Sequence, residues 1–245
     1  MKKAVVSDIG YRFRMEDAHY LDMNCAGRGW VFGGVYDGHM GAFAAHFSAK
    51  YLHHVFLEHL QEGHTPEESF VFAYEDTSAR LAFQESGTTA VTFLIKDRCI
   101  FTASAGDARA IVISTEEIHQ LTVDHRVHNH EERTRILEMG GVIREPYVYR
   151  GGQGLMPSRS IGDEYFKSVG IIATPTTSRY EITGDDRFLI AACDGLFDVL
   201  MNDEVAEVVR NFTDPEPVVD ALRAEVLVTR LGTDNLTIIA ISLQD

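Results

Sequence analysis

Carboxylates recur in this sequence where a β-branched or aromatic run gives way to a turn. Asp37 follows WVFGGVY in the segment YDGHMG, and Asp107 lies in AGDAR. Asp194 follows FLIAAC in ACDGLFD, with Asp198 four residues on, and Asp234 stands in GTDN just before LTIIAI. Glu16 and Asp17 are adjacent in RFRMED. Taken singly, each is ordinary, because Asp-Gly and Gly-Asp favour turns and an isolated Glu-Asp pair is usually solvated surface. Taken together they suggest a site. If neighbouring strands run antiparallel, the end of one lies beside the start of the next, and Asp37, Asp194 and Asp234 converge at one edge of a sheet. Carboxylates crowded in a cleft repel one another, and a divalent cation relieves that repulsion. Oxygen-only ligands suit hard ions, so magnesium or manganese fits better than zinc.

The elements that must position these residues are short. Strands are predicted at Trp30–Tyr36, Ala90–Ile95, Cys99–Ala103, Ala110–Ile113, Phe188–Cys193 and Leu236–Ile241, with Lys96-Asp97-Arg98 as a hairpin turn. Helices are predicted at Ala42–Leu60, from Thr65-Pro66-Glu67-Glu68 towards Ser86, and at His130–Met139 ahead of Gly140-Gly141. Two more run from Asn202, read as a cap, to Arg210, and from Pro215 to Leu231 before Gly232. Strands and helices alternate without a strict strand-helix-strand rhythm, which favours antiparallel sheets with helices packed outside them.

Bulk composition agrees with a soluble fold. The 245 residues are 45% hydrophobic and 24% charged, and no repeat or linker divides them, so one domain over 1–245 is expected. A net charge of -15 repels a phosphate polymer, making nucleic acid an unsuitable partner, while bound metals would invert the charge locally for a phosphorylated substrate. Cys25, Cys99 and Cys193 support neither a disulfide framework nor a zinc site. No run has the length of a membrane span, and no targeting signal is visible, so a cytoplasmic or nuclear monomer is expected. His125, His128 and His130 read as a solvated loop and helix start rather than a metal cluster.

Nine segments in order resemble the PP2C (metal-dependent, PPM) protein phosphatases. They are RFRMED, YDGHMG, SGTTA, AGDAR, LTVDH, EERTRILEMGG, SRSIGD, ACDGLFDV and GTDN, spread over nearly the whole chain. The resemblance implies an α+β fold of αββα type, two packed antiparallel sheets flanked by helices on both faces. It implies hydrolysis of phosphoserine and phosphothreonine in proteins without a phosphoenzyme intermediate. It also implies two Mg²⁺ or Mn²⁺ ions, with Asp37 bridging, Asp194 and Asp234 completing one site, and Glu16 with the carbonyl of Gly38 serving the other. A third, weaker ion would use Asp107, Asp194 and Asp198.

In that chemistry two metals activate a water for attack on phosphorus. Arg12 would hold the phosphate and His39 would protonate the departing Ser or Thr oxygen. Asp17 and Asn235 would orient ligands or waters, and Arg159 would line the cleft. Two departures stand out. The segment Glu164–Pro175, where the family has a flap beside the cleft, is brief, and Met156-Pro157 replaces small apolar residues before SRSIGD. The competing functions are a catalytically weak or inactive scaffold with the same fold and a metal-dependent nuclease. Retention of Glu16, Asp37, Asp194 and Asp234 argues against the first, and the acidic charge against the second.

Overall fold

A computed structural model describes residues 1–244. Two five-stranded antiparallel sheets form its centre. The first has the order β1 (Lys3–Asp8), β16 (Leu236–Ser242), β15 (Asp186–Ala192), β8 (Arg109–Ser114), β9 (Ile118–Gln120). The second has the order β14 (Thr176–Glu181), β7 (Cys99–Ala105), β6 (Ala90–Lys96), β3 (Trp30–Tyr36), β2 (Ala18–Cys25).

Side-chain alternation along these strands explains the layers. In β3, Val31 and Val35 enter a core shared with Leu189, Ala191, Ile239 and Ile241 of the opposite sheet. Phe32 and Tyr36 point the other way, onto α1 (Phe43–Gln61) and α2 (Pro66–Arg80). In β16, Ile238 and Ala240 face outward onto α5 (Asp194–Phe197), α6 (Asn202–Val209), α7 (Pro215–Ala224) and the π-turn Glu225–Thr229. Because both faces of each central strand are covered, the strands read as continuous apolar runs. The architecture is the αββα sandwich. Two small three-stranded sheets complete it: β13 (Ile161–Gly162), β5 (Gly87–Thr88) and β4 (Gly38–His39), and the meander β10 (Val142–Arg144), β11 (Tyr147–Arg150), β12 (Gln153–Leu155). Helices α3 (His130–Glu138) and α4 (Glu164–Lys167) flank that meander's end of the chain.

Some boundaries differ from the expectation. The helix begun by the Thr65 capping box ends at Arg80, not near Ser86, where Leu81 turns into the core. Asn202 does not cap α6. The Glu204 carboxylate accepts from the Met201 N–H at 2.9 Å, and the Asn202 side chain instead bridges Arg109 and Gln120.

Candidate active site

The carboxylates meet at one end of the sandwich. Asp37 leaves β3 of the second sheet, Asp194 follows β15 of the first, and Asp234 precedes β16 of the first. They therefore converge across the gap between two sheets, and not along one sheet edge as the spacing suggested. Two crossing segments close this end: the stretch between β1 and β2 carries Arg12 and Glu16, and the loop between β7 and β8 carries Asp107. The resulting cleft, about 450 Å³, is lined by Arg12, Glu16, Asp37, Gly38, His39, Asp107, Asp194, Asp234 and Asn235. Gly38 is fixed by packing, since a Cβ there would collide with the Glu16 carbonyl.

The charges in this cleft are poorly compensated. Burial above all, then Asp107, Asp198 and Asp234, push the Asp194 carboxyl up to about 8. Asp37 is raised well above the usual range by burial and then by Asp194, Asp17 and Asp107. Asp17 is raised to about 6, chiefly by burial, with Asp234 and Glu16 adding and Thr237 and Cys193 opposing. Neither Asp17 oxygen has a hydrogen bond of ordinary geometry. An all-oxygen donor set carrying this much excess negative charge fits hard divalent cations. Among the described residues, no three of these carboxylates close to within 4.8 Å of one another, and Asp234 is drawn off to Arg12.

Each expected catalytic side chain has a definite partner. The exposed Arg12 guanidinium lies 2.6 Å from Asp234 Oδ2. His39 Nε2 lies 2.7 Å from Asp163 Oδ2. Asp163 is the last residue of SRSIGD and was not assigned from the sequence. It is almost wholly buried, and a Cβ on Gly87 would strike its carboxylate, which explains the glycine of SGTTA. Burial works against a charged His39, but the neighbouring Asp163, Asp107 and Glu16 outweigh it and raise its pKa.

A second unassigned residue is Arg126. Its guanidinium reaches Asp107 at 2.6 Å, Asp198 at 2.8 Å and Asp194 at 3.5 Å. The carboxylates expected to receive a third ion thus surround an arginine. Burial raises the Asp107 pKa, and Arg126 offsets only part of that rise.

A family model described as Protein phosphatase 2C matches residues 4–232. The chain belongs to that family. It is a protein serine/threonine phosphatase. It is 30% identical over 257 residues to "Protein phosphatase 2C homolog 1" of Saccharomyces cerevisiae, covering 95% of this chain and 89% of the yeast protein. It is 32% identical over 249 residues to the Schizosaccharomyces pombe protein of the same name, covering 95% of this chain and 70% of that one. Among solved structures, a serine-threonine phosphatase 2C from Toxoplasma gondii matches the fold with a TM-score of 0.83 at 22% identity, covering 98% of this chain and 94% of that one.

Other PP2C segments have structural tasks. Asn235 of GTDN clamps the β1–β2 crossing: its Oδ1 accepts from the Glu16 N–H at 2.8 Å, and its Nδ2 donates to the carbonyls of Ile9 and Arg14. Arg159 of SRSIGD does not line the cleft. It pairs with Glu132 at 2.7 Å and donates to the Thr174 carbonyl, in a buried network with Arg135 and Ser158. His125 of LTVDH is buried, not solvated, with Nε2 2.8 Å from Thr176 Oγ1 and Nδ1 3.0 Å from the Gly106 carbonyl oxygen. The segment Glu164–Pro175 does not wall the cleft either. That wall is Gly154–Pro157, at the end of the β10–β12 meander, while Glu164–Phe166 line an adjoining groove that shares Met40.

Proposed function

We propose that this PP2C phosphatase hydrolyses phosphoserine and phosphothreonine in proteins with two divalent ions, Mg²⁺ or Mn²⁺. Asp37, Asp194, Asp234, Glu16 and the Gly38 carbonyl would hold them. The observation that carries this reading is the crowding of these groups in one cleft, where burial and then the neighbouring carboxylates push the Asp194 carboxyl up to about 8. Bound there, the ions would acidify a water and neutralise charge on the phosphoryl oxygens.

The chain's own groups do the rest. Arg12 sits at the rim with its guanidinium on Asp234, and a phosphate entering the cleft offers it a better, bidentate acceptor. His39 holds a proton on the side turned to Asp163, which fixes the ring and favours the imidazolium that a Ser or Thr leaving oxygen needs. Asn235 holds the Glu16 segment against β16, which keeps the rim in register with the floor. The exposed side chains of Phe13 and Met40 offer apolar surface beside the cleft for residues flanking the phosphorylated one. Among the described residues, the cleft lining includes no cysteine, and Cys193 is buried, which favours water over a thiol nucleophile.

The competing reading is a scaffold with the same fold and no turnover. Retention of Glu16, Asp37, Gly38, Asp194 and Asp234 in one cleft disfavours it. The test is Asp37→Asn. Folded Asp37→Asn protein should lose both Mn²⁺ binding, followed by the paramagnetic signal of the free ion, and phosphatase turnover. If both survive, the ligand assignment fails.

A further inference from the structure

Arg126 lies in the loop between β9 and α3, and its backbone is bridged to Pro157 at the foot of the meander that walls the cleft. Its side chain is four-fifths buried and enters the space enclosed by Asp107, Asp194 and Asp198. Nε is 2.6 Å from Asp107 Oδ2, and Nη2 is 2.8 Å from Asp198 Oδ1 and 3.5 Å from Asp194 Oδ2. Among the described residues these three carboxylates do not close to within 4.8 Å of one another, the spread expected of groups arranged around a planar fork and not around one small ion. An ion bound by all three would have to take the place the guanidinium fills. A guanidinium keeps its charge at every accessible pH, so the site is never without a cation.

We propose that Arg126 is the resident cation of this triad and takes the place of a third divalent ion, so that the chain holds two divalent ions and not three. The proposal rests on the two-metal reading above. It assigns Arg126 a positioning role. It partly neutralises the buried Asp107 and sets a positive charge 3.5 Å from Asp194 Oδ2, at any metal concentration. It also ties the β10–β12 wall to the carboxylate floor through a single residue. Removing the side chain would leave three carboxylates facing one another with Asp107 unpaired and buried, which is itself a cation site.

The experiment is a titration of the full chain with Mn²⁺ alone, counting bound ions by the signal of free Mn²⁺ and by calorimetry. The wild-type protein should saturate at two ions. Arg126→Met should open the triad and saturate at three, and Asp107→Asn added to it should return the count to two. Asp198→Asn changes a half-exposed side chain, so it decides the matter even if Arg126→Met fails to fold. Its count should stay at two with unchanged affinities. Three ions on the wild-type chain, an ion lost in Asp198→Asn, or only two in folded Arg126→Met would each overturn the proposal. No bound ion on the wild-type chain would instead sink the two-metal reading beneath it.

Discussion

At the scale of single residues, the pair His39–Asp163 carries the acid chemistry of the proposed mechanism. Its geometry, 2.7 Å between Nε2 and Oδ2, joins residues 124 positions apart. His39→Ala should slow hydrolysis of an alkyl phosphate such as a phosphothreonine peptide by about 10²- to 10⁴-fold, the usual worth of a general acid. An aryl phosphate with an acidic phenol needs no proton and should slow far less. Asp163→Asn should show the same selectivity in milder form, about 10- to 100-fold, as expected when a supporting partner is lost. Equal slowing of both substrates would reduce Asp163 to a structural role and remove His39 as the acid. That Asp37, Asp107, Asp194 and Asp234 gather in one place was legible in the sequence because each sits next to a strand end in a motif of its own. Asp163 and Arg126 were not, because their significance lies in which distant residue they touch, and strand register decides that.

At the scale of elements, the clearest feature is the clamp that holds α3 to the segment Ser158–Arg159. Burial alone would raise the Glu132 carboxyl, but Arg135, Arg159 and Ser158 hold it down to about 2, from 4.5. A depressed carboxylate pKa contributes stability that is present above 4.5 and is lost as pH falls through about 2. Glu132→Gln leaves two guanidiniums without their counter-charge and should cost about 3 to 5 kcal/mol. Urea unfolding at neutral pH would measure that loss. A second series between about pH 5 and 2 should show the variant's stability falling less steeply than that of the wild type. A variant as stable as the wild type at neutral pH would contradict the clamp. The central strands were readable as apolar runs, whereas β1, β2 and β14 were not. β1, β2 and β14 are edge strands, largely half-exposed, and sequences such as TTSRYE carry no apolar period to read.

At the scale of the whole molecule, the sandwich brings together residues from position 12 to position 235 by closing two sheets over one apolar layer. The ends of that layer are where chain crossings must occur, so polar loops collect there. One such end becomes the cleft. The sheet count and the helices on both faces came from the resemblance to the PP2C family and not from periodicity. Local pattern does not say which strands pair across the sandwich, and so it placed the carboxylates on one sheet edge. The most direct test of the metal-dependent phosphatase reading is phosphate release from a phosphothreonine peptide by the purified chain with Mn²⁺ or Mg²⁺, after EDTA, and by Asp194→Asn. Release that requires the added metal, stops with EDTA and is absent in folded Asp194→Asn is the expected result. Undiminished release after EDTA, or from Asp194→Asn, would contradict it.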